Sequence, residues 1–144
     1  MRIYVLGNPL VHEDSIPLRI LPKLKKRFPK IEFVVTDPNE NFPPKEETNL
    51  VILDTVKGIK KPRLFNLDRF VINKKTPISP HDYDLLLHLL LLKKIKKIES
   101  VTIIGIPSSP LYSKKMRCTG HAGIKRPDKF FDLVHDLILR CIDR

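Results

Sequence analysis

Short, nearly unbroken apolar runs alternate along this chain with longer stretches in which apolar residues return every three or four positions. The runs Ile3–Leu6, Ile31–Val35, Leu50–Leu53 and Val101–Ile106 have the length of strands, and the continuity of Leu50–Leu53 marks one buried on both faces. The first is closed by Gly7-Asn8-Pro9 and the last is stopped by Pro107, both turn signals. A less regular run, Leu67–Ile72, suits the edge of a sheet.

The longer stretches predict three helices. Ile16, Ile20, Leu21, Leu24 and Phe28 repeat at helical spacing, from a start near Asp14 or Ser15 to a basic end. Pro22 removes the hydrogen bond to the Leu18 carbonyl, which predicts a kink or a shorter helix. A second helix opens at Pro80, with Ser79 placed to cap it. Its seven leucines between Leu85 and Leu92 call for burial on more than one side. The last starts at Pro127 and offers Phe130, Phe131, Val134, Leu137, Ile138 and Cys141 to a core. Asp37–Thr48, with Pro38, Pro43 and Pro44, reads as an exposed loop too short for a helix; Lys57–Arg63 is a basic loop, and Ser108–Arg126 is irregular around Gly120 and Gly123. Strands alternating with helices imply an α/β fold. We expect a single-domain three-layer sandwich over 1–144, with a mainly parallel twisted sheet of about five strands and helices on both faces.

Composition narrows the class. The chain has 144 residues, 42% of them hydrophobic and 30% charged, as expected of one globular domain rather than a disordered segment. No run of ~18 apolar residues suggests a membrane span. Met1–Gly7 reads as a first strand and not as a leader. Cys118 and Cys141 are too few for a disulfide framework or a zinc site. The expectation is a cytoplasmic protein that does not engage membranes. The formal charge of +11 could serve nucleic acid or an acidic partner. However, the lysines cluster at ends of predicted helices, where the helix dipole favours them. No aromatic residues are interleaved among them to stack bases, so a solvated basic face is preferred to a nucleic-acid surface.

Candidate chemistry lies where strands end. Asp14 follows the first strand, Asp54 closes Leu50–Leu53, and His81 sits in the first turn of the leucine-rich helix. In a parallel sheet such positions converge on the carboxyl edge, where ligands bind, and two carboxylates with an imidazole would suit a divalent metal. Each has a plainer role too: Asp14 as an N-cap, Asp54 as a turn cap, His81 as a surface histidine. Glu13 rivals Asp14 as ligand, since neighbours on a helix diverge by roughly 100° and only one would face the site. His88 stands about 10 Å along the helix from His81 and should not share its metal. His12 and His121 are possible neighbours of the site, whereas His135 reads as surface or filler. A receiver-like domain holding magnesium beside a phosphorylated carboxylate and a basic binding protein without chemistry remain as alternatives. Ile106-Pro107 stands where the former would want a lysine.

Taken together, the motifs resemble the hydrogenase maturation proteases. Val5-Leu6-Gly7-Asn8-Pro9 with Glu13-Asp14-Ser15-Ile16 and Arg19 is similar to the family's opening, and Leu50–Asp54 to its second acidic motif. Ile78-Ser79-Pro80-His81 is similar to its histidine motif, Val101–Pro107 to its late strand, and Gly123-Ile124 has a counterpart before the last helix. Pro17 stands where the family usually has glycine, and Asp37–Asn41 replaces its glycine-rich segment. The resemblance implies an endopeptidase that removes the C-terminal extension of a nickel-loaded large-subunit precursor of nickel–iron hydrogenase. It implies no intrinsic cofactor: Asp14, Asp54 and His81 would read the substrate's nickel, Asn8 and Glu13 would contact substrate, and the protein would act as a monomer.

Overall fold

A computed structural model describes residues 1–37, 40, 42–67, 80–108 and 129–143, with the backbone alone at 80–84. Among these residues five strands and three helices follow one another as β1 (Arg2–Val5), α1 (Ile16–Arg27), β2 (Glu32–Val35), β3 (Asn49–Val56), β4 (Arg63–Asn66), α2 (Pro80–Lys94), β5 (Ser100–Pro107) and α3 (Lys129–Ile142). They form an α/β sandwich around one sheet of order β2-β1-β3-β5-β4. The first four strands in that order are parallel and β4 is antiparallel to β5.

Side-chain alternation divides the core. On one face Ile3, Val5, Leu53, Ile104 and Ile106 pack against Ile16, Ile20 and Leu24 of α1 and Phe130, Val134 and Ile138 of α3. On the other, Tyr4, Leu6, Leu50, Ile52 and Val56 meet Leu86 and Leu89 of α2. Burying aliphatic side chains of this size contributes about 1.5–3 kcal/mol each, which is why the sheet, not helix propensity, organises the chain.

Several expectations change. The first helix begins at Ile16 with Ser15 at its cap position and runs unbroken past Pro22 to Arg27. Packing of Ile20, Leu21 and Leu24 into the core outweighs one missing hydrogen bond. The third strand extends to Val56, because Asp54, Thr55 and Val56 continue the ladder opposite Gly105, Ile106 and Pro107. Asp54 therefore lies within the strand instead of closing it. The edge strand is Arg63–Asn66, where a basic loop had been expected to end; of the run Leu67–Ile72 only Leu67 is described, and it is buried. The loop after β2 is not wholly exposed: Phe42 is buried with its ring edge-on to Tyr4 at 5.2 Å. Among its described side chains α2 buries Leu86 and Leu89, while Leu87 and Leu91 remain about half exposed. The last helix is described from Lys129, with Phe130, Val134 and Ile138 buried. Pro127, Ser79, Cys118, Gly120, His121, Gly123 and Ile124 lie outside the described residues.

Candidate functional site

The chain leaves β1 for β2 on one side and later returns to β3 on the other. Strand order thus reverses between β1 and β3, and an open sheet is cleft at the carboxyl ends of such a pair. A cleft of about 730 Å³ lies there. Leu6, Gly7 and Asn8 reach it from the end of β1, and Asp54 and Thr55 from β3. Val35, Thr36 and Asp37 reach it from the end of β2, and Leu85 from α2.

The segment from Asn8 to Ser15 is not helical; it is a tight turn built on its own polar groups. The Asn8 N–H donates to Asp14 Oδ2 at 2.8 Å, and the Leu10 N–H donates to Asn8 Oδ1 at 2.9 Å. The N–H groups of Asp14 and Ser15 both donate to the Val11 carbonyl, at 3.0 and 2.9 Å. Ser15 Oγ donates to the His12 carbonyl at 2.9 Å, so Ser15 makes no side-chain cap. Asp14 is not the N-cap either. Its carboxylate ties the turn to the end of β1. Gly7 fits this arrangement because its φ is +150° and a Cβ there would fall 2.6 Å from the Asp14 carbonyl oxygen, too close for any side chain.

Glu13 and Asp14 both line the cleft. The expectation that one would turn away fails because both precede the helix, where the 100° rule does not apply. Asp54 is half-buried on the α2 side of the sheet, and its Oδ1 accepts the Thr55 N–H at 2.7 Å. The Asp14 and Asp54 carboxylates are thus each oriented by a backbone donor. Asp37, Glu40 and Lys57 complete the charged lining; sequence reasoning missed all three. The signal lay in the pairing of β2 with β1, which carries the loop after Val35 to the same edge.

Helix α2 brings Leu85 to the cleft, and His81 lies one turn earlier in that helix. Its side chain lies outside the described residues. Among the described residues no three His, Cys, Asp or Glu side chains converge as a metal-binding group; Asp14 and Asp54 share the cleft but do not make such a set by themselves. His88 is exposed on α2. His12 sits 3.4 Å from the Arg19 guanidinium, and His135 stacks on Phe28 at 5.0 Å.

No family model, no curated protein and no solved structure matches this chain. Its fold and cleft therefore stand on their own geometry.

Proposed function

We propose that this chain is a cytoplasmic endopeptidase that removes the C-terminal extension of a nickel-loaded large-subunit precursor of nickel–iron hydrogenase. One observation carries the reading. Asp14 and Asp54, the two positions that match the family's carboxylates, line one cleft at the point where strand order reverses. The matching histidine, His81, opens the helix whose next turn brings Leu85 to the wall of that cleft.

The nickel belongs to the substrate. Carboxylates and an imidazole accept such an ion, and a cation held beside the scissile bond would polarise its carbonyl. The chain's own contribution is orientation and charge. The Asn8 and Thr55 N–H groups fix the Asp14 and Asp54 carboxylates, so little reorganisation is needed when substrate arrives. Glu13, Asp37 and Glu40 add negative potential that draws a cationic centre into an otherwise basic molecule.

The test is cleavage of candidate precursors, with and without nickel, by the native protein and by His81→Ala. Trimming of the nickel-loaded form alone, lost in the variant, is the expected result. Trimming that ignores nickel would remove the metal-reading role, and a folded protein that trims no precursor would remove the peptidase.

A further inference from the structure

We infer that the turn between β1 and α1 is a peptide-anchoring device: Leu10, with Val11 and Val35, seats an aliphatic side chain of an extended polypeptide whose cationic neighbour enters the acidic cleft. The inference rests on the reading that this cleft receives a polypeptide.

Leu10 is 92% exposed, and Val11 and Val35 are 48% and 54% exposed. Isolated exposed aliphatics are ordinary on protein surfaces. Here Val11 and Val35 both line the cleft, and Leu10 is the chain neighbour of Val11. The backbone that displays Leu10 is firmly held. Its own N–H donates to Asn8 Oδ1 at 2.9 Å, and the next N–H, of Val11, donates to the Asn8 carbonyl at 3.1 Å. Asn8 is held in turn by Asp14 Oδ2, and Ser15 closes the turn on Val11 and His12. A leucine on a slack loop would fold back onto the surface. The main chain that carries Leu10 on this one is already fixed, so presenting the side chain to a partner costs little backbone freedom.

Charge selects the partner's chemistry. The cleft beside the anchor is lined by Glu13, Asp14, Asp37, Glu40 and Asp54 against Lys57. An acidic peptide would be repelled, and one with a cation next to its aliphatic residue would be drawn in. A second copy of the chain is a poorer occupant, because each copy carries a formal +11. A cleft of about 730 Å³ falls within the usual range for bound ligands, roughly 300–1,000 Å³.

The experiment is selection of displayed random peptides on the full chain, followed by affinity measurement of the enriched peptides. They are measured against the native protein, Leu10→Asp, Leu10→Met and, as a control away from the cleft, Leu91→Asp. Leu10 is solvent-exposed, so its replacement should not unfold the chain. The expected peptides pair an aliphatic residue with Lys or Arg. Their affinity falls about tenfold or more with Leu10→Asp, as for a central anchor, while Leu10→Met and Leu91→Asp keep most of it. Three results would overturn the inference: no enrichment above background, equal binding to Leu10→Asp, or equal loss in Leu91→Asp. Sedimentation equilibrium showing a self-association that Leu10→Asp abolishes would also overturn it, by making a second copy the occupant. Peptide binding without precursor trimming would keep the anchor and discard the peptidase. Trimming with an unchanged KM in Leu10→Asp would do the reverse.

Discussion

The two ends of the sheet treat charge in opposite ways. At the amino ends of the strands, Arg2 donates to Glu32 at 2.9 Å and also pairs with Glu47. Beside them Ser100 Oγ donates to Asn49 Oδ1 at 2.6 Å. Groups there satisfy one another across neighbouring elements. At the carboxyl ends, five acidic residues and one lysine line a single cleft, and the two central carboxylates are held by backbone donors. One end pairs opposite charges; the other gathers charges mostly of one sign. Charge concentrated on one side of a fold costs stability, and proteins keep such an arrangement where a ligand relieves it.

The contrast can be broken from either end. The largest effect is expected from Asp14→Asn or Asp54→Asn, each lowering the rate of precursor trimming by about 10²–10³-fold while the unfolding midpoint changes little. An equal fall in stability would make both residues structural. Next comes Gly7→Ala, whose added carbon would meet the Asp14 carbonyl oxygen. It should destabilise by about 1–3 kcal/mol in denaturant melts and also lower trimming. At the opposite end, pH supplies the probe. Burial raises the Tyr4 phenol above its usual pKa of 10, with Glu47 adding to the shift. Above pH 10 the unfolded chain releases a proton that the folded chain keeps, so stability falls as pH rises. Tyr4→Phe should flatten that fall in melts recorded between pH 9 and 11, and leave trimming unchanged. The smallest effect belongs to Arg2→Ala. Its pairs are solvent-exposed, so the midpoint should scarcely move and should lose its salt dependence there.

Much of the architecture was legible in the sequence because a parallel sheet imposes continuous apolar runs. Ile3–Leu6 and Val101–Ile106 could hardly form anything else. The antiparallel edge was not legible: Arg-Leu-Phe-Asn is four residues with two apolar positions, and its pairing with β5 is a tertiary fact. Nor was the end of β3, since Asp54 and Thr55 read as a stop until β5 supplies partners as far as Pro107. For the cleft, the convergence of Asp14 and Asp54 on one sheet edge was expected from the sequence, although Asp54 lies inside β3 and not at its end. Asp37, Glu40 and Lys57 were not, because loops after different strands meet only once strand order is known. Leu10 was passed over for a simpler reason: one leucine in a polar turn carries no periodicity.

The strand order also bears on how the chain is made. β1, β2 and then β3 are made before β5 and can already pair as β2-β1-β3. That fragment carries all three cleft aspartates, Asp14, Asp37 and Asp54, yet the far side of β3 waits for β5, which ends at Pro107. Through that interval a strand of eight residues, Asn49–Val56, presents an open, apolar hydrogen-bonding edge, the feature that templates aggregation in nascent sheets. Lys57, Lys60 and Lys61 follow that strand directly, the position at which charged residues oppose pairing with like chains. Part of the basic character of this protein thus lies where it would count before the fold is complete.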